Sequence, residues 1–219
     1  MAPNEMTSEL LSAYYKSKGE ETPSQHCIAI SEIVESAQNF TEKIKALDTE
    51  VAKLQIPDDI GELLFDILLF NFFSEDSQRL GEQFFESKDW QKIEDSIIDR
   101  GTELMNILLY LQECKDSGIK VTLDDYLDEY LIGEDELDKD ELEVYEAIIK
   151  NRDEIVTSDS QTMIELANCN LDSPLGDQLL PILLFFETKD NLEIKHDLIL
   201  KAGSNPPFQS CFLAVLSSF

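Results

Sequence analysis

Basic residues are scarce in this chain, and so are most of the residues on which active-site chemistry depends. Seventeen Lys and Arg stand against 46 Asp and Glu, for a formal net charge of -29. Nucleic acids and anionic membrane faces are reached through clustered cations, so direct binding to either is disfavoured and a basic protein surface is the favoured partner. There are only two histidines, His26 and His196. Glu193 and His196 have the Glu-x-x-His spacing of a di-iron carboxylate helix, but such a site needs a second copy, and the residue three before His26 is Pro23. Eight glycines leave little material for phosphate-cradling loops, and no dinucleotide glycine pattern, phosphate loop or nucleophile elbow occurs. No cofactor and no metal site is expected.

Four cysteines, Cys27, Cys114, Cys169 and Cys211, stand singly and without the CxxC spacing of zinc or redox centres. Buried, reduced thiols in a cytoplasmic protein are the expectation. Long apolar runs are also missing. The longest, from Leu63 to Phe73, is broken by Asp66 and, at about 1.5 Å per residue, falls well short of the ~30 Å of a bilayer core. No membrane span is therefore expected, and the first residues lack the basic and apolar regions of a secretory signal.

What is present is enough to fold. Hydrophobic residues make up 42% of the 219 and charged residues 29%, which places the chain among globular proteins. One domain over residues 1–219 is expected, with a sub-boundary near residues 115–122. Residues 60–73 are too apolar on every side for a surface helix. A related pattern of Gly followed by Leu and then Ile-Leu-Leu-aromatic returns at Gly101, with Ile107, Leu108 and Leu109, and at Gly176, with Ile182, Leu183 and Leu184. These three segments form the expected core. The match between the outer copies reaches upstream, residues 50–56 resembling residues 165–171 at an offset of 115. No stretch carries a convincing strand alternation, so the fold class is all-α. A globular multi-helix bundle and a solenoid-like stack of irregular helical pairs of about 40 residues both fit the pattern.

Helical spacing predicts the elements. Residues 4–18 form a first helix ended by Gly19. Ile30, Ile33, Ala37, Phe40, Ile44, Leu47, Val51 and Leu54 alternate by threes and fours, which predicts one long helix with Lys43 among its surface residues. Its seam would pack inside the domain or serve a homodimer. Trp90, Ile93, Ile97, Gly101, Leu104, Leu108 and Leu111 predict a second long helix over 89–114, in which Gly101 is compensated by a close helix crossing. Thr122 caps a helix whose first turn holds Asp124 and Asp125, and residues 134–157, 161–168, 175–187 and 192–201 follow as helices. Pro181 should kink the helix over 175–187. Residues 203–207 read as a loop, and the apolar tail over 208–219 must be docked.

One surface feature is unusual. Between Asp124 and Glu146 stand twelve carboxylates against Lys139 alone, among them Asp124, Asp125, Asp128, Glu129, Glu134, Asp135, Glu136, Asp138, Asp140 and Glu141. No register supplies the calcium-loop spacing of carboxylates, glycine and a twelfth-position glutamate. If helical throughout, the tract presents one charge per roughly 3 Å, near the ~3.4 Å of phosphates along a DNA strand. The function expected from this is non-catalytic: an inhibitor, immunity-type protein, chaperone or adaptor that captures a basic surface, including one that otherwise holds nucleic acid. Two other readings stand beside it. One is a helical scaffold that takes a peptide in an apolar groove, and the other is a carboxylate enzyme with a divalent metal.

Overall fold

The computed structural model describes residues 3–76, 84–127, 148, 152–173 and 175–219, and among these every regular element is helical. The chain is all-α, as its spacing predicts. It divides into two compact units, Met1–Tyr110 with Ala214–Phe219, and Leu111–Leu213.

The first unit opens with α1 (Pro3–Ser17) and α2 (Ser24–Glu35). They form an antiparallel hairpin, since the Asn4 amide donates to Glu35 at one end and the Tyr15 hydroxyl meets His26 Nδ1 at the other. The apolar seam from Ile30 to Leu54 does not run along one helix. It is divided between α2 and α3 (Phe40–Leu54), because the Ser36 hydroxyl donates to the Ile33 carbonyl at 2.9 Å and Asn39 opens the next helix. Asn39 Oδ1 accepts from the Glu42 N–H at 3.0 Å while Glu42 Oε2 accepts from the Asn39 N–H at 3.3 Å, a reciprocal capping box. Ala37 is left exposed at the break. Asn39→Ala should therefore cost about 1 kcal/mol, read as a lower urea midpoint with an unchanged slope.

Lys43 corrects the expectation of a surface residue. It is buried, and its Nζ donates to the Val34 carbonyl at 2.9 Å, closing the open end of α2. Gln55, with φ of 54°, turns the chain out of α3, and the Ile56 N–H returns to the Val51 carbonyl at 3.1 Å. Then comes α4 (Asp58–Asn71), in which every residue from Ile60 to Asn71 except Glu62 is buried. It packs against α1 and α3 and passes into a π-helical turn, Phe72–Asp76.

The predicted helix over 89–114 is also two helices, α5 (Lys88–Ile97) and α6 (Glu103–Asp116). Gly101 lies in the loop between them with φ of 91°, a left-handed backbone that no helix can run through. Its glycine serves this turn and not a helix crossing. Leu104, Ile107 and Leu108 on α6 are buried.

In the second unit, α7 (Leu123–Asp125) and α8 (Arg152–Thr157) pack together. Of the helix predicted over 134–157, residues outside 148 and 152–157 lie beyond the described residues, as does Pro174. Asp159 caps α9 (Ser160–Cys169), accepting from the Thr162 N–H at 2.9 Å. A 3₁₀ turn, Gly176–Gln178, leads into α10 (Leu179–Phe186). Pro181 is not in the interior of this helix, where a kink is expected of it. The left-handed Gly176 delays the start to Leu179, so Pro181 falls in the first turn, where its missing N–H has no intrahelical partner to lose. Next is α11 (Leu192–Ala202), capped by Asn191, and the Asn168 amide of α9 donates to the Ala202 carbonyl at 2.9 Å. Finally, α12 (Pro206–Ser218) begins inside the predicted loop, with two prolines in its first turn where prolines are tolerated. Residues 208–216 of this tail are all buried.

The three Ile-Leu-Leu segments are helical and buried, apart from Leu109, which is half-buried. Their glycines differ, Gly61 lying within α4 while Gly101 and Gly176 are left-handed. Glu62, after the first glycine, accepts from the Gly101 N–H at 2.8 Å, and Asp177, after the last, accepts from the Ser204 hydroxyl. In both cases a carboxylate holds the loop that opens a later helix. No helix among the described residues is long and apolar enough to cross a membrane.

Candidate functional site

Of the ten acidic residues singled out from the sequence, Asp124 and Asp125 fall within the described residues. Asp128, Glu129, Glu134, Asp135, Glu136, Asp138, Asp140 and Glu141 lie outside them. Both described members are half-buried and engaged. Asp124 Oδ1 accepts from Arg152 Nε–H at 2.7 Å, which ties α7 to α8. Asp125 bonds back to the residue that caps its helix. Its Oδ2 accepts from the Thr122 N–H at 2.8 Å and the Thr122 hydroxyl at 2.7 Å, and its own N–H donates to Thr122 Oγ1 at 3.3 Å. Those bonds from Thr122 hold the Asp125 carboxyl below its ordinary range. The leading edge of the tract thus fastens a helix start, the role that Thr122 and the first-turn aspartates imply.

A second carboxylate group lies on α4, and in the sequence it shows only as the break that Asp66 makes in an apolar run. Glu62 and Asp66 lie one helical turn apart, and the loop before α6 is seated on them. Glu62 Oε1 accepts from Arg100 Nη2–H at 2.9 Å, and the same guanidinium reaches Asp48 of α3 at 3.1 Å. The Arg100 guanidinium also lies 4.1 Å from the centre of the Phe65 ring, a cation–π contact. Asp66 is wholly buried. Both its oxygens lie 3.1 Å from the Thr102 N–H, and Oδ2 accepts from the Thr102 hydroxyl at 2.6 Å. Thr102 Oγ1 in turn accepts from the Leu104 N–H at 3.1 Å, so one hydroxyl joins the carboxyl group to the first turn of α6.

Burial pushes the Asp66 carboxyl up to about 8, with Glu62 and Glu103 adding to it and the bonds from Thr102 opposing it. So enclosed and so bonded, the carboxyl group fastens the loop before α6 to α4.

No family model, curated protein or solved structure matches the chain.

In the second unit, Glu187 and Lys195 form a buried ion pair, 3.6 Å between Nζ and Oε2. Lys195 Nζ also donates to the Glu187 carbonyl, and Glu187 Oε2 accepts from the Asp190 N–H at 2.9 Å. Asp190 accepts from the Ser160 hydroxyl at 2.7 Å, so this cluster anchors the starts of α9 and α11. Burial holds the Lys195 ammonium below the usual lysine range, opposed by Glu187 and Asp190.

Among the described residues, no group of three or more His, Cys, Asp or Glu is placed to hold a metal ion. The cysteines only partly follow the expectation of buried thiols. Cys114 and Cys211 are buried, Cys27 is half-buried beside the Tyr15–His26 pair, and Cys169 is exposed at the end of α9. Sequence spacing carries one signal for the α4 group, Asp66 as the single acid inside the apolar run from Leu63 to Phe73. Nothing in it marked Lys195 or Lys43 as buried.

Proposed function

We propose that this protein is a non-catalytic acidic binding module that captures a basic protein surface, including one used to hold nucleic acid. The observation that carries this reading is how its few cations are placed. Arg100 is held by Glu62 and Asp48, Arg152 by Asp124, Lys195 by Glu187, and Lys43 by a backbone carbonyl. Lys53 and Lys92 pair with acids on their own helices. These six of the seventeen Lys and Arg are paired within the chain, Lys53 and Lys92 at its surface, and the surplus behind a net charge of -29 is carboxylate. Such a surface steers cationic partners at long range and repels anionic ones. A reducing, cytoplasmic compartment suits the four free thiols.

The test is affinity capture from the native cell at about 0.05 M and 0.5 M salt, where screening shortens the reach of charge from over 10 Å to a few ångström. Partners of basic composition should be retained at low salt and lost at high salt. Reversing Asp135, Glu136, Asp138 and Asp140 to lysine should slow association by roughly ten- to a hundredfold, with helical content unchanged by circular dichroism. Capture that is insensitive to salt would replace this reading with the apolar scaffold.

A further inference from the structure

Three of the nine well-exposed large apolar residues among those described lie on α11: Leu192 at 41%, Ile194 at 43% and Leu200 at 39%. One exposed leucine is ordinary, but three on a helix of three turns make a face. The pitch of 3.6 residues per turn fixes how they are arranged. Lys195 and Ile199 are buried and mark the inner side. Leu192 and Leu200, with half-buried His196 between them, form one ridge beside it, and Ile194 and half-buried Leu198 form another on the opposite flank. Between the two ridges, on the outer side, stand Glu193 and Asp197, both exposed. Neither carboxylate has a hydrogen-bond or ion-pair partner among the described residues, unlike Glu187 and Asp190 just before them. Lys195 is turned inward onto Glu187, and Lys201 comes a turn after Asp197. The outer face of the first two turns is therefore apolar and anionic, with no Lys or Arg on it.

We infer that this face of α11 docks a basic amphipathic helix, whose apolar residues lie along the Leu192–Leu200 ridge and whose Lys and Arg meet Glu193 and Asp197. The inference deepens the proposed capture of basic surfaces and rests on it. Charge selects the occupant. A second copy of the chain carries the same net charge of -29 and is repelled, as is an anionic membrane face. An uncharged apolar peptide would cover the leucines but take Glu193 and Asp197 from water with no partner, and burying an unpaired charge is costly. Spacing selects a helix. Leu192 and Leu200 lie about 12 Å apart along α11 at 1.5 Å per residue, and apolar residues recurring by threes and fours on a second helix meet a ridge of that kind. Its cations then set encounter rate and register, while the apolar contact supplies affinity.

The test is isothermal titration of the full chain with a synthetic Leu-Lys peptide of about five helical turns, patterned to place Leu on one face, and with the same composition in an order that has no apolar face. At about 0.05 M salt the patterned peptide should bind at least about tenfold more tightly than the reordered one, and it should weaken by a similar factor at about 0.5 M. Leu192→Ser with Leu200→Ser, and separately Glu193→Gln with Asp197→Asn, should each weaken it by roughly tenfold. Ile28→Ser, at an exposed apolar residue of α2, should change it by less than about twofold. Salt-dependent binding that is the same in every variant, or the same for both peptides, would overturn this docking face and leave the capture of basic surfaces standing. No binding by the wild type, or binding that salt does not weaken, would overturn both. Should the leucine variant not fold, amide chemical shifts of the wild-type protein decide: the largest changes should fall on residues 192–202, and changes confined to other residues would overturn the face.

Discussion

Alanine in place of Gly101 should destabilise the protein by about 3 kcal/mol, an unusually large effect for one methyl group at an exposed loop position. Two costs combine. The left-handed backbone there, at φ of 91°, costs an L-residue about 1–2 kcal/mol. The new Cβ would also stand 2.7 Å from Asp66 Oδ1, so the carboxyl group must rotate away from the Thr102 N–H and hydroxyl, each bond worth about 1 kcal/mol. Gly19 separates the two costs. Its φ is 71°, but a Cβ there meets nothing within 4 Å, so Gly19→Ala should show the backbone cost alone. Urea unfolding of the single variants, and of Gly101→Ala placed on Asp66→Ala, closes the comparison. With the carboxyl group gone, the penalty at Gly101 should fall to that at Gly19, a coupling of about 1–2 kcal/mol. Equal penalties in the two single variants would mean that Asp66 does not press on this loop.

The core of this fold is legible because burial leaves a composition that needs no spatial information. Ile67-Leu68-Leu69 and Ile182-Leu183-Leu184 have no polar side to turn to water, and they are enclosed. Caps with a single local cause are legible too, Thr122 among them. The helix breaks at residues 36–39 and 98–102 are harder to see. Apolar spacing by threes and fours continues through both, because the helices on either side turn their apolar faces to a common core. What separates them is Ser36 and Asn39 in one case and Gly101 with Thr102 in the other, residues that also suit the outer face of an unbroken helix. Tertiary partners decide the second break, since the loop bonds found by Gly101 and Thr102 are on Glu62 and Asp66, nearly 40 residues away. Buried lysines are illegible for a similar reason. Lys43 and Lys195 each end on a main-chain carbonyl that only the folded chain brings near. The acidic tract could be read as charge alone. The two of its residues described, Asp124 and Asp125, hold α7 in place, a role visible in the Thr122 cap but not in the charge count.

Lys195→Met should cost about 3–4 kcal/mol, although methionine is nearly as long and fills much of the same space. The ammonium stands between the Glu187 carbonyl and its carboxylate, and all of this is buried. Removing it strands a carboxylate that retains only backbone donors, and breaking one side of a buried pair typically costs 3–5 kcal/mol. The cost should therefore depend on the charge left behind. Adding Glu187→Gln to Lys195→Met leaves no stranded charge, while the amide oxygen still accepts from the Asp190 N–H, so at least half of the loss should return. Lys92→Met provides the surface reference. Its partner Asp89 lies 2.8 Å away with both side chains mostly in water, and the change should leave the unfolding midpoint where it stands in the wild type. Thermal and urea unfolding of the four proteins at one pH and salt concentration separate these terms. A Lys195→Met penalty no greater than that of Lys92→Met would show the buried pair to be solvated. A double variant no better than the single would assign the loss to the unpaired Glu187 carbonyl and not to its carboxylate.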